Sequence, residues 1–113
     1  MNRDAEAGDG LDAEDCPPAP IPPGALAREL PIINRKGLHA RASAKFVQTV
    51  ERFDAAVTVT RCGETVGGRS IMGLLTLGAA QGTVLTVTAA GADAQACLDA
   101  IDSLLADRFG EGE

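Results

Sequence analysis

Between Ala55 and Arg61 apolar and polar side chains alternate, Val57 and Val59 against Thr58 and Thr60. A strand with one buried and one open face is the conformation that sorts such a run. Cys62-Gly63-Glu64 then has the make-up of a tight turn, and Thr65-Val66 begins a short returning strand that Gly67-Gly68 ends. Strands this closely linked cannot build an all-parallel sheet, whose crossovers need a dozen residues or more. The valine face of the hairpin must also be covered by something apolar.

The flanking segments supply the cover. Ala40, Ser43, Ala44, Val47 and Val50 recur at helical spacing, and Phe46 and Phe53 widen the stripe. Ser70 can cap a short helix over Ile71–Leu77, closed by Gly78. Asp93 can cap a last helix with Ala94, Cys97, Leu98, Ile101, Leu104 and Leu105 on one face. Two more strands are expected at Arg28–Asn34 and Thr83–Thr88, and Pro31 argues for an edge position or a bend in the first. The order β-α-β-β-α-β-α gives an α+β domain: a four-stranded antiparallel sheet with three helices on one face. A ferredoxin-like arrangement of the same elements stays open on this pattern. With no Trp or Tyr and only Phe46, Phe53 and Phe109, the core must come from Ile, Leu, Val and Ala.

The domain is expected over residues 28–109, with a short C-terminal tail at 110–113. Residues 1–27 read as a disordered acidic tail, because five of the six prolines crowd Pro17–Pro23 and little apolar surface is available to bury. The net charge of -6 is unevenly placed. Residues 1–29 hold seven acids against two bases, and the remainder is nearly neutral. Nothing basic enough for nucleic acid stands out. No run is long and apolar enough for a membrane span, and no signal peptide opens the chain, so a cytoplasmic protein is expected. Cys16, Cys62 and Cys97 are an odd, scattered set without CxxC spacing, and they read as free thiols with no metal site.

His39 is the only histidine. A lone histidine is most often structural or merely exposed, but this one stands where a helix begins, two residues after Gly37 and among Arg35, Lys36, Arg41 and Lys45. A neutral imidazole is a competent nucleophile near neutral pH. A phosphoryl group on its ring would meet the free N–H groups of Ala40 and Arg41 and the positive end of the helix dipole. The Arg41 guanidinium can clamp phosphate oxygens. On these residues alone, a phosphoryl acceptor and a helix-capping histidine in a solvated basic face are both open.

The segment Ile33-Asn34-Arg35-Lys36-Gly37-Leu38-His39-Ala40-Arg41-Ala42-Ser43 resembles the active-site segment of the HPr phosphocarriers of the bacterial phosphotransferase system. Gly68-Arg69-Ser70-Ile71-Met72-Gly73-Leu74-Leu75-Thr76-Leu77 resembles the same family's regulatory-serine segment. The resemblance implies an open-faced β-sandwich without a cofactor. It further implies a monomeric, stoichiometric carrier that takes phosphate from enzyme I and gives it to an EIIA-type protein. His39 would be phosphorylated on Nδ1, with Arg41 binding the phosphate. Ser70 would be the target of an HPr kinase/phosphorylase. Ile71, Met72 and Leu75, with Lys45, would form the partner surface. Many relatives have Pro where this chain has Ala42, a change that removes no functional group. The rival reading is a regulatory protein-binding module switched at Ser70, with His39 unused for transfer.

Overall fold

The computed structural model describes residues 16–112. Its elements are β1 (Leu26–Pro31), α1 (Ala40–Val50), β2 (Ala56–Arg61), β3 (Glu64–Gly67), α2 (Ile71–Thr76), β4 (Val84–Ala90) and α3 (Ala94–Ala106), followed by a single 3-10 turn, Arg108–Gly110. The element order expected from the sequence is the one observed. The four strands form one antiparallel sheet in the order β1-β4-β2-β3. A ferredoxin-like sheet would place the first and third strands at its centre, whereas β2 and β4 are central here. β1 lies at an edge, where Pro31 at its last position leaves no central ladder without a donor.

Register sorts the side chains by face. Leu30 pairs with Leu85, and Val59 with Val87. These four are buried under the helices together with Val57 and Ala89. Helix α1 packs against α2 and α3, and α3 against β4 and β1. Phe46, Val50, Leu74, Leu98 and Ile101 fill the space between, each fully enclosed or nearly so. Burying such a side chain is worth roughly 1.5–3 kcal/mol. At the edge of this layer Arg28 of β1 pairs with Asp99 of α3 at 3.0 Å. On the open face the hydroxyls of Thr58 and Thr88 meet at 2.5 Å, and those of Thr60 and Thr65 at 2.7 Å.

Three sequence expectations change. β1 starts at Leu26, inside the segment assigned to the tail. Asp93 holds the N-cap position of α3 without a side-chain capping bond; its carboxylate instead accepts from the Asp54 N–H at 2.8 Å, fastening the loop before β2. Cys16 and Cys62 are not free thiols but are joined as a disulfide, with their Cα atoms 4.7 Å apart.

The topology explains the disulfide. β1 and β2 run in the same direction with β4 between them. Cys62, at the far end of β2, therefore lies at the opposite end of the sheet from Leu26. A turn at Pro22–Ala25, closed by a 3.0 Å bond from Ala25 N–H to the Pro22 carbonyl, sends the preceding chain back toward it. Residues 16–19 share a groove with Glu29, Thr60, Val84 and Thr86 on the open face. Residues 1–15 of the expected tail lie outside the described residues. Cys97 is a buried free thiol in α3.

Candidate functional site

The loop between β1 and α1 is held from two sides. Gly37 has φ of 70°, and a Cβ there would lie 2.5 Å from the Ala79 carbonyl oxygen and 2.9 Å from Ala80 Cα. Both obstacles are backbone, so only glycine fits. Leu38 N–H donates to the same Ala79 carbonyl at 2.9 Å, and the Leu38 side chain is buried. Asn34 is wholly enclosed and donates from Nδ2 to the Gly37 carbonyl at 2.8 Å. These contacts deliver His39 as the N-cap of α1, in extended backbone, with no side-chain capping bond of its own. The capping alternative raised by the sequence therefore does not describe what its ring does.

Among the described residues, the N–H groups of Ala40 and Arg41 have no acceptor, as expected in a first helical turn. Arg41 is exposed and makes no side-chain hydrogen bond among those residues. Ala42 is fully buried, so this position serves packing beneath the site. The site thus offers free backbone donors, a helix N-terminus without acidic residues in its first turn, and an unengaged guanidinium.

The His39 ring is partly exposed, and its Nε2 lies 2.5 Å from Oε2 of Glu111. Oε1 of the same carboxylate accepts from Asn34 Nδ2 at 3.1 Å. The hydrogen bond from His39, helped by Asn34 and by the nearby Lys36 charge, holds the Glu111 carboxyl below its ordinary value against the opposing effect of desolvation. No bond among the described residues reaches His39 Nδ1. The sequence alone places Glu111 in the C-terminal tail at 110–113 and Asn34 at the end of the first strand.

Glu111 arrives there by an unusual route. Arg108, Phe109 and Gly110 all have left-handed backbone, with φ of 53°, 57° and 75°. Two of the three are not glycine, which costs roughly 1–2 kcal/mol each. Burial of Phe109 and a 2.5 Å bond from Lys45 Nζ to its carbonyl offset that cost and reverse the chain over α1. Lys45, expected on the partner surface, thus has a structural contact as well.

Ser70 is the N-cap of α2, and its hydroxyl accepts from Gly73 N–H at 2.9 Å. Arg69 beside it donates to the Ala55 and Phe53 carbonyls, tying this corner to the start of β2. Helix α2 turns Leu74 and Leu77 into the core, leaves Leu75 half-buried and exposes Ile71 and Met72, the latter at 71%.

Comparison with known proteins gives the family. The sequence model of the phosphotransferase-system HPr component phosphorylation site matches residues 26–107. Phosphocarrier protein HPr of Neisseria meningitidis serogroup A is 48% identical over 88 residues, covering 78% of this chain and 99% of the relative. The multiphosphoryl transfer protein of Escherichia coli O157:H7 is 37% identical over 105 residues, covering 90% of this chain but 27% of that longer relative. The crystal structure of HPr from Thermoanaerobacter tengcongensis superposes with a TM-score of 0.75 at 36% identity, over 78% of this chain and 99% of that one. The chain belongs to the HPr phosphocarrier family of the phosphotransferase system.

Proposed function

We propose that His39 accepts a phosphoryl group on Nδ1 from enzyme I and passes it to an EIIA-type protein, the chain acting as a stoichiometric carrier in the cytoplasm. The observation that carries this reading is His39 Nδ1, without a bond among the described residues, at the open N-terminus of α1. Phosphoryl transfer is mostly positioning and charge neutralisation. The Ala40 and Arg41 N–H groups and the helix dipole supply a resting place for phosphate oxygens, and the Arg41 guanidinium adds a planar two-pronged donor. No helix among the described residues is long and apolar enough to cross a membrane.

Incubation with enzyme I and phosphoenolpyruvate is expected to add about 80 Da as an acid-labile, base-stable adduct, as for a phosphohistidine. The variant His39→Ala is expected to take none. Labelling that persists in His39→Ala would refute the assignment.

Regulation falls to Ser70. A phosphate there, added by an HPr kinase/phosphorylase, would be tolerated by the N-terminus of α2 but would set a charge of about -2 beside Ile71, Met72 and Leu75. Those side chains are proposed to dock the partners, with Lys45 at the margin of the surface. Kinase-treated protein should accept phosphate from enzyme I more slowly, whereas Ser70→Ala should escape the kinase and keep its transfer rate. A transfer rate indifferent to phospho-Ser70 would leave the serine as a helix cap only.

A further inference from the structure

The contact between His39 and Glu111 joins residues far apart in sequence, and several other groups of the fold maintain it. The left-handed run Arg108–Gly110 turns the chain back after α3, buried Phe109 anchors the turn, and Lys45 of α1 pins its carbonyl. Asn34, fully buried, grips Oε1 and leaves Oε2 directed at Nε2 of His39. The carboxylate is itself largely covered, its side chain 16% exposed against 27% for the histidine. A carboxylate fixed on both oxygens beside the one nucleophilic ring has a chemical consequence.

We propose that Glu111 is a positioning residue for phosphoryl transfer: it holds the neutral His39 ring as the Nε2–H tautomer and balances the charge that develops when Nδ1 takes phosphate. The proposal rests on the carrier reading above and adds to it a residue outside the recognisable motif.

An ionised carboxylate only accepts hydrogen bonds, so a neutral imidazole facing it through Nε2 must carry its hydrogen there. The lone pair is then on Nδ1, the atom with no partner among the described residues. In the transfer step this lone pair forms the N–P bond. The bond from phosphorus to the donor atom of enzyme I breaks, and its electrons return to the donor. The His39 ring, still bearing hydrogen on Nε2, becomes cationic, and the Glu111 carboxylate lies against that hydrogen. Both tautomer control and stabilisation of an imidazolium are what a buried carboxylate does for a catalytic histidine in hydrolases. Delivery to the acceptor runs the same sequence in reverse. A protonated ring is the better leaving group, so one contact serves both directions.

The test uses full-length protein with 15N-labelled histidine, read at a pH where the ring-nitrogen shifts themselves report a neutral imidazole. In wild type the ring-nitrogen NMR shifts should report Nε2–H and an unprotonated Nδ1. In Glu111→Ala they should move toward the average of mixed tautomers. The rate of labelling by enzyme I and phosphoenolpyruvate should fall about tenfold in Glu111→Ala. In Glu111→Gln, which keeps the shape and loses the charge, it should fall as well. A melting curve close to wild type establishes that the variants fold. With wild type labelled, ring shifts that do not move or a rate that does not fall overturns the role of Glu111. Failure of wild type itself to take phosphate overturns instead the carrier reading on which the proposal rests.

Discussion

Reducing the bond between Cys16 and Cys62 removes a cross-link that closes a loop of 46 residues. In the chain-entropy account a loop of that length restrains the unfolded chain by about 4 kcal/mol at 25 °C. Part of this returns on the native side, because residues 16–25 are mostly exposed and regain freedom once released. The gain is limited: Pro17, Pro18, Pro20, Pro22 and Pro23 already have fixed φ. A net loss of about 2 kcal/mol is therefore expected. In a domain of this size that lowers the melting temperature by roughly 10 °C. The assay is a circular-dichroism melt with and without a reductant, repeated on Cys62→Ser, whose curve should overlay that of reduced wild type. Thiol counting by alkylation and mass spectrometry fixes the starting state. Oxidised denatured protein should show one reactive thiol, that of Cys97, which is buried and pushed to a higher pKa by that burial in the native state. Three reactive thiols in protein denatured without reductant, or melts that coincide with and without reductant, would refute the reasoning.

Two further outcomes follow from the site. Gly37→Ala forces a Cβ against the Ala79 and Ala80 backbone at a left-handed position, so a loss of about 3 kcal/mol is expected in denaturant melts, with slower phosphotransfer because His39 shifts; a stability within 0.5 kcal/mol of wild type would show that the loop yields freely. The Glu111 carboxyl, held low by His39, Asn34 and Lys36, contributes stability that is present above the ordinary carboxylate range and lost as pH falls through its lowered value. Its side-chain carbon should therefore titrate below an ordinary glutamate by NMR and return toward the ordinary value in His39→Ala; equal midpoints in the two proteins would contradict the contact.

What could be read from the sequence was local. The Val57–Thr60 alternation and the turn at Gly63 fix a hairpin without reference to the rest of the chain. Ser70 is a cap because its hydroxyl bonds an amide three residues on. His39 and Arg41 stand at a helix start, and the unpaired amides of that start follow from helix geometry alone. The division of α2, with Leu74 and Leu77 inward and Ile71 and Met72 outward, was not legible in this way, because its all-apolar residues leave no polar face to mark the outside.

What could not be read depends on register between distant segments. Cys16 and Cys62 look unrelated until β4 is inserted between β1 and β2, which places the end of β2 where the returning N-terminal chain arrives. Asp93 looks like a cap, and only the closeness of the Asp54 amide diverts its carboxylate. Glu111 is the strongest case. Propensity opposes its route, since Arg108 and Phe109 are poor choices for left-handed backbone, and no rule of spacing links it to His39 across 72 positions. The route is held by contacts that exist only in the folded domain: Phe109 in the core, Lys45 on its carbonyl and Asn34 on the carboxylate. The proposed nucleophile therefore lies in a local motif, while the group proposed to set its tautomer is supplied by the tertiary structure. A relative that kept Gly37-Leu38-His39-Ala40-Arg41 but ended after α3 would keep the nucleophile and lose this carboxylate. Swapping the last residues between two such chains should then transfer the tautomer preference with them.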